Sequence, residues 1–489
     1  MSDRPLLPMM PTETPLIHRP DRPLRLLMAA LLLMAALVAA CAHSPAAATP
    51  PTAAPPATAT PTATALPAWT PTAAPIAGAL AVDPGASLGP INPLVYGTNY
   101  GPWAAVPVDL QDELAELAPP YLRFPGGAWG DENRLRPFQI DPFMTLAEDL
   151  GAEVSISVNL RTGTPGQAAE LVRYVNDEQG YGVRYWSIGN EPSLYATANN
   201  MDYETARYNK EWRAFAEAMR AVDPDILLVG PDTHQYLGDP QRNPRDAAGR
   251  DWMRAFLEAN GDLVDVVAFH RYPFPTNPAD PLPTAAELRA NSSEWARIIP
   301  TLRALIRETT GRDLPLAVTE INASWSHAAG GEATPDSLVG AVWWADVLGR
   351  LIAHDVHMVA HFALQAPRGS GWGIFTRRDV RPVYHVYRLY QMFGEQRVAA
   401  SSGVPGVSIY AARRDGGDAA GALTVMIVNL SGETETVPLR LADPTFSSTA
   451  DLYRLDAQHA GAFVETVPVA DGVTLSLPAD SVTLLVIDP

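Results

Sequence analysis

Eight short apolar runs, most with polar residues or glycine at or near their ends and divided by longer, mostly helical stretches, constrain the fold of this chain more than any other feature. They fall at residues 94–99, 121–127, 153–160, 183–192, 226–232, 264–270, 314–320 and 357–364. Strands that recur with helices between them build a parallel sheet. Eight of them over a span of this length close into a (β/α)8 TIM barrel, an α/β fold that keeps its functional groups at the C-terminal tips of the strands. Residues 206–222 and 285–309 carry the apolar spacing of helices that would cover such a barrel. After residue 393 the helical pattern stops. Residues 407–412, 422–430, 435–441, 449–455 and 473–487 alternate with turns, which predicts a C-terminal β-sandwich. The leading segment 78–93 is placed to lend that sandwich an edge strand.

The start of the chain is of another kind. Arg19, Arg22 and Arg25 precede an apolar run, Leu26 to Ala40, that is too short for a comfortable membrane span. It ends Val38-Ala39-Ala40-Cys41, which resembles a bacterial lipobox, and Cys41 is the only cysteine among 489 residues. The resemblance implies lipidation at Cys41 and an extracytoplasmic protein anchored to a membrane; an uncleaved signal anchor or an ordinary signal-peptidase site is the plainer alternative. Residues 42–76 are rich in alanine, proline and threonine and cannot bury enough apolar surface to offset the entropy of ordering. They read as a spacer. The division is therefore a signal peptide (1–41), a linker (42–76), a barrel (77–393) and a sandwich (394–489). One cysteine excludes an intrachain disulfide and a multi-thiolate metal site. A net charge of -19 argues against a nucleic-acid partner. No His/Asp ligand motif is legible, so neither a metal nor an organic cofactor is expected.

Two of the eight runs carry a glutamate at or next to their end. Tyr185-Trp186-Ser187-Ile188-Gly189-Asn190-Glu191-Pro192 closes the fourth, and Leu314–Glu320 is the seventh. Two carboxyl groups at strand tips are what retaining glycoside hydrolysis requires, one as acid/base and one as nucleophile. Glu191 would hold a proton in a partly desolvated place, and Asn190 beside it would hold a sugar hydroxyl. A capped or salt-bridged strand end would use the same residues. Glu320 at the end of a buried strand needs a partner. Arg123 on the second strand can be that partner, whether as a structural ion pair or as the cation that keeps a nucleophile ionised. His270 and Tyr272 stand two apart at the sixth tip, hence on one face, where the tyrosine can donate to Glu320. Trp103, Trp129, Trp325 and Trp372 fall in the loops beyond the strand tips, and one or two of them, Trp129 and Trp372 foremost, are expected to stack on sugar. Phe124-Pro125-Gly126-Gly127 reads as a tight turn and not as a phosphate loop.

The motifs LRFPGG, WSIGNEP and AVTEIN resemble clan A retaining glycoside hydrolases, most closely families 51, 39 and 79. The resemblance covers residues 78–489. It implies the barrel with a terminal β-sandwich, Glu191 as acid/base, Glu320 as nucleophile, Asn190 as the residue on the sugar 2-hydroxyl and Tyr272 as the partner of the nucleophile. It implies a carbohydrate substrate, polymeric or oligomeric. The first strand departs from the arabinofuranosidase pattern: Val95-Tyr96-Gly97-Thr98-Asn99-Tyr100-Gly101 carries no acid, which counts against arabinofuranoside specificity. The opposing reading is a non-catalytic carbohydrate-binding lipoprotein on the same fold, against which stand the two intact glutamates.

Overall fold

The computed structural model describes residues 75–489, apart from 367–368, 417–419, 443–445 and 470–471. The proposed signal peptide, Cys41 and nearly all of the linker lie outside the described residues. Among the described residues no helix is long and apolar enough to cross a membrane.

Eight parallel strands form a closed barrel: β2 (Gly97–Asn99), β3 (Tyr121–Phe124), β4 (Glu153–Val158), β5 (Tyr185–Ile188), β6 (Leu227–Thr233), β7 (Val266–Arg271), β8 (Leu316–Ile321) and β9 (Met358–His361). They pair in sequence order, and β9 closes on β2 with Gly97 opposite Ala360. Side chains alternate across these strands. Leu122, Phe124, Trp186, Ile188, Val267, Phe269 and Val318 join the apolar layer under the helices. Tyr121, Tyr185, Val229, Val266, Ala268, Ala317, Met358 and Ala360 form a second cluster that fills the lower interior. Gly97 is required there, since a Cβ would lie 2.2 Å from the Tyr121 ring.

The helices follow the expected logic. In Thr205–Arg220 the buried residues Tyr208, Trp212, Phe215, Ala216 and Met219 recur at helical spacing. The expected 285–309 helix is interrupted at Ser292–Glu294 and resumes as Trp295–Thr310. The first barrel strand is shorter than its apolar run: Pro93–Tyr96 make a helical turn, with Asn92 capping the amide of Leu94.

The second sheet has nine strands: β1 (Leu80–Pro90), β10 (Gln396–Ser402), β11 (Val407–Arg413), β12 (Leu423–Asn429), β13 (Glu435–Leu441), β14 (Thr449–Leu455), β15 (Ala460–Pro468), β16 (Val473–Leu477) and β17 (Ser481–Ile487). Their order is β15-β14-β17-β12-β11-β10-β1-β13-β16. The sheet folds over one apolar core. Val437 and Leu475 from one end pack in the same cluster as Leu452 and Leu485 from the other, and Arg454 on β14 reaches the carbonyl of Ser476 on β16. The leading segment corrects the sequence expectation: β1 is no edge strand but lies inside the sheet, antiparallel to β10 and parallel to β13. The 473–487 run is two strands, turned at Asp480 with φ 48°. Helix Leu338–Ala353 joins barrel to sandwich. Asp346 accepts from the Tyr410 hydroxyl, Arg350 donates to Ser408, and the Tyr410 ring occupies the space where Gly349 would carry a Cβ.

Candidate active site

The C-terminal half of the barrel interior is polar where the lower half is apolar. Arg123, fully buried on β3, is its centre. Its Nη1 donates to Oε1 of Glu320 at 2.7 Å and to Oδ1 of Asn99 at 2.9 Å, and its Nη2 donates to Oδ1 of Asn190 at 3.0 Å. Asp232 lies 3.6 Å from the same guanidinium. A buried guanidinium of this kind needs carboxylate partners to offset its desolvation.

Strict alternation would turn Glu320 away from this centre, because Ala317 and Thr319 already face inward. The β7–β8 pairing jumps between Phe269–Val318 and His270–Glu320. That bulge lets both Thr319 and Glu320 face the interior. Thr319 donates to Asp232, and Glu320 takes Arg123. A second jump, between Pro231 and Thr233 on β6, accompanies Asp232 at φ 51°. Beyond β5, Gly189 at φ 82° and Glu191 at φ 50° turn the chain back, and the amide of Glu191 donates to the carbonyl of Asp232.

Glu320 accepts hydrogen bonds from three groups. Besides Arg123, the backbone N–H of Gly127 donates to Oε1 at 2.7 Å, and the hydroxyl of Tyr272 donates to Oε2 at 2.9 Å. The Pro-Gly-Gly turn thus supplies a donor to the carboxylate, a role its sequence did not reveal. Nδ1 of His270 lies 2.9 Å from Oε1 of Glu191 and 3.7 Å from Oε2 of Glu320. Burial disfavours the Glu320 carboxylate, but His270 and Arg123, with the Tyr272 hydroxyl, outweigh it and hold its pKa below the ordinary value. Burial likewise works against a charged His270, yet Glu320 and Glu191 raise its pKa. One oxygen of each glutamate lies within 4.8 Å of the other. Glu191 is the more open, its side chain 22% exposed against 5% for Glu320. His270 and the two glutamates are close enough to share a cation. Arg123 and a protonated His270 already supply positive charge at that spot.

Asn190 and Glu191 are fixed from below by Asp131, which sequence reasoning missed. Oδ2 of Asp131 accepts from the amide of Asn190 at 2.7 Å and from the Tyr195 hydroxyl, and Oδ1 accepts from the amides of Leu160 and Arg161. Burial raises the Asp131 pKa against these donors. Asn99, Asp232 and Phe362 were missed as well. Asp232 alone gave the signal used for Glu320, a carboxylate closing an apolar run.

The aromatic residues divide. Phe362, just past β9, meets Trp372 at 5.3 Å, Trp103 at 6.0 Å and Tyr272 at 6.3 Å between ring centroids. Trp372 therefore belongs to the wall around Glu320. Trp129 sits in the short helix Trp129–Glu132, half-buried against the main core, and is not one of the rings that meet over Phe362. Trp325 is exposed, with its ring N–H on the carbonyl of Pro275.

No family model matches the chain. Part of it is 28% identical over 203 residues to the intracellular exo-alpha-(1->5)-L-arabinofuranosidase 1 of Bacillus subtilis, covering 34% of this chain and 38% of that protein. It is 27% identical over 194 residues to alpha-L-arabinofuranosidase C of Emericella nidulans, covering 29% and 38%. The chain thus spans well under half the length of these curated relatives. Among solved structures, the alpha-L-arabinofuranosidase of Thermotoga maritima in its arabinose complex superposes with a TM-score of 0.66 at 19% identity, over 84% of this chain and all of that one. The family 44 xyloglucanase of Paenibacillus polymyxa does so with a TM-score of 0.66 at 16% identity, over 84% and 99%. The chain resembles clan A glycoside hydrolases of the family 51 kind and shares the barrel-and-sandwich fold of these neighbours.

Proposed function

We propose that this chain is a retaining glycoside hydrolase that works by double displacement, with Glu320 as nucleophile and Glu191 as acid/base. The observation that carries the reading is the approach of the two carboxyl groups to within 4.8 Å. Retaining enzymes hold their carboxyl groups about 5–5.5 Å apart, and inverting ones leave roughly 6.5–9.5 Å for a water. The difference in surroundings supports the division of roles. Glu320 is kept ionised by Arg123 and His270, as a nucleophile must be. Glu191 is open to substrate and to water, as a group that exchanges protons must be.

In the first step an oxygen of Glu320 attacks the anomeric carbon while Glu191 gives its proton to the departing glycosidic oxygen. A covalent glycosyl-enzyme forms and the alcohol leaves. In the second step Glu191 takes a proton from water, the water oxygen attacks the anomeric carbon, and Glu320 is released as carboxylate. Asn190 turns its carbonyl oxygen to Arg123, which leaves its N–H groups for the sugar 2-hydroxyl. Phe362 and Trp372 offer the apolar wall for the ring.

The substrate is a glycan or oligosaccharide. The arabinofuranosidases that match part of the chain make α-L-arabinofuranosides the first to test. The tip of β2 carries no acid, and Asn99 there is engaged by Arg123 and the carbonyls of Thr319 and Ala360, so β-xylosides and β-glucosides belong in the same panel. A panel of 4-nitrophenyl glycosides of these three sugars, with the product anomer followed by NMR, tests the reading. Hydrolysis of at least one with retention is expected. An inverted product would refute the double displacement, and binding of sugars without turnover would favour a carbohydrate-binding lipoprotein.

We also propose that Cys41 anchors the protein to a membrane on the extracytoplasmic side, on the strength of the Val38-Ala39-Ala40-Cys41 sequence. Stable anchoring by lipid takes two signals, such as dual acylation or one chain with a basic patch. Cys41→Ser protein should fail to be processed or should leave the membrane fraction. Unchanged processing and unchanged membrane association would refute it.

A further inference from the structure

Two residues past Asp232, the bulged residue whose carbonyl accepts from the Glu191 amide, a histidine stands beside the site with one ring nitrogen hydrogen-bonded and the other open to solvent. His234 follows β6 directly. Its Nδ1 lies 2.8 Å from the Ser193 hydroxyl, and its own backbone N–H donates to that same oxygen at 3.2 Å. With one lone pair of Ser193 Oγ taken by that backbone N–H, the hydroxyl can give its proton to Nδ1. The ring is then the tautomer with its hydrogen on Nε2. Among the described residues Nε2 meets no protein acceptor, yet it is not one of the buried polar atoms left without a partner, so it reaches solvent. Burial, ahead of any charge, lowers the His234 pKa, which keeps the ring neutral.

The position follows from the backbone. Ser193 lies two residues beyond Glu191, in the turn Pro192–Leu194. The amide of Glu191 is bonded to the carbonyl of Asp232, two residues before His234. The loop is held from its other side: Gln235 donates to the carbonyl of Tyr272 and accepts from Arg271, which is paired with Glu294. The charges of Glu191, His270 and Arg271 all reach the His234 ring. His234 therefore borders the acid/base on the β5–β6 side. The wall of Phe362, Trp103 and Trp372 lies on the loops after β2 and β9, around Glu320.

A bound glycan must span these two sides. The sugar that is transferred sits over the nucleophile, and the departing sugar lies past the acid/base that protonates its oxygen. We infer that His234 binds the leaving-group sugar, donating from Nε2 to one of its hydroxyl or ring oxygens, so that it selects glycosidic substrates over aryl glycosides. This rests on the double-displacement reading above and adds to it the residue that recognises the departing half.

The test compares matched substrates that share the transferred sugar and differ in the leaving group. For arabinose these are 4-nitrophenyl α-L-arabinofuranoside and α-1,5-L-arabinobiose; for xylose they are 4-nitrophenyl β-D-xylopyranoside and β-1,4-xylobiose. In His234→Ala the ratio of kcat/KM for the disaccharide to that for the aryl glycoside should fall about tenfold, the loss of one neutral hydrogen bond. His234→Gln, which keeps an N–H near the Nε2 position, should restore most of the ratio. Ser193→Ala, which frees the tautomer, should lower it by less than His234→Ala does. An equal fall on both substrates would make His234 a structural residue and overturn the inference, as would a ratio that does not move. Wild-type protein inactive on both pairs and on the matching glucose pair, 4-nitrophenyl β-D-glucopyranoside and cellobiose, would refute the glycosidase reading itself, an outcome distinct from either of those.

Discussion

The two ends of the barrel interior are built from the same eight strands and solve opposite problems. At the N-terminal end Tyr121, Tyr185, Val229, Val266, Ala317 and Met358 pack as an ordinary apolar core. At the C-terminal end Asn99, Arg123, Asp232, His270, Thr319 and Glu320 are just as buried and almost all polar. Burying such groups is unfavourable unless each finds a partner. Here each residue finds at least one, through Arg123 and through two bulges that turn Asp232 and Glu320 inward, while Nε of Arg123, Oδ2 of Asp232 and Nε2 of His270 make no hydrogen bond. The lower end specifies the barrel, and the upper end spends that rigidity on positioning charge. Substitutions should therefore separate: above, activity lost far out of proportion to stability; below, stability lost with little change in chemistry.

The largest effect is expected at Glu320. Glu320→Ala should lower kcat/KM on every aryl glycoside that wild type cleaves by about ten-thousand-fold or more, since no glycosyl-enzyme can form. Glu191→Ala should cost about 10²–10⁴-fold on poor leaving groups, less on activated ones, and azide should rescue it by attacking the intermediate. Steady-state rates across a leaving-group series distinguish the two. Equal losses in both variants at every leaving group, with no azide rescue, would show the roles to be misassigned.

The upper end was partly legible in the sequence, for a physical reason. A carboxylate that closes an apolar run stands out, because a buried strand tolerates one only for a purpose. That marked Glu191 and Glu320 and drew Arg123, His270 and Tyr272 to them. Residues whose role depends on backbone irregularity did not stand out. Strict alternation gives no hint that Thr319 and Glu320 face the same way, or that Asp232 turns in beside them. Asp131 lies in a short helix after the second strand, where an acid is normally solvated. The same limit governed the sandwich. β10, Gln396–Ser402, is weakly apolar, and β15, Ala460–Pro468, is exposed along most of its length, so neither shows the alternation of a half-buried strand. β1 has a leading apolar run but no local sign that strands lie on both its sides.

Tyr272→Phe sharpens the comparison at the upper end. Glu320 keeps its low pKa against burial through His270 and Arg123, with Tyr272 adding a further donor. Removing that hydroxyl should raise the carboxyl pKa and move the acid limb of kcat/KM to higher pH, with a loss of roughly ten- to a hundred-fold in rate for a hydrogen bond to a charged group. Because the folded value lies below the unfolded value of 4.5, the stability that Glu320 contributes is complete above 4.5 and disappears as pH falls through the folded value. Tyr272→Phe should lose it at higher pH than wild type does. A pH–rate profile and melting curves between pH 3 and 6 read both; an acid limb that stays in place would remove Tyr272 from the control of Glu320. At the lower end, Met358→Ala should reduce stability by about 2–5 kcal/mol in denaturant titrations, with the acid limb where wild type has it.

The smallest effect is expected from Tyr121→Phe, which tests the lower end where it touches polarity. The Tyr121 ring fills the space that Gly97 leaves, and its hydroxyl lies 2.7 Å from the Ser155 hydroxyl. Phenylalanine keeps the ring and leaves Ser155 without that partner, so the loss should be roughly 1 kcal/mol. Arg123 stands two residues along the same strand and faces the same interior, which makes this substitution the nearest apolar neighbour of the charged network. If the two ends are as separate as their packing implies, the unfolding free energy should drop by that amount while the pH–rate profile of the folded enzyme stays put. A displaced acid limb in Tyr121→Phe would show instead that the Tyr121 hydroxyl tunes Arg123 and, through it, Glu320, so that the division between a structural floor and a chemical ceiling runs one layer lower than the side chains suggest.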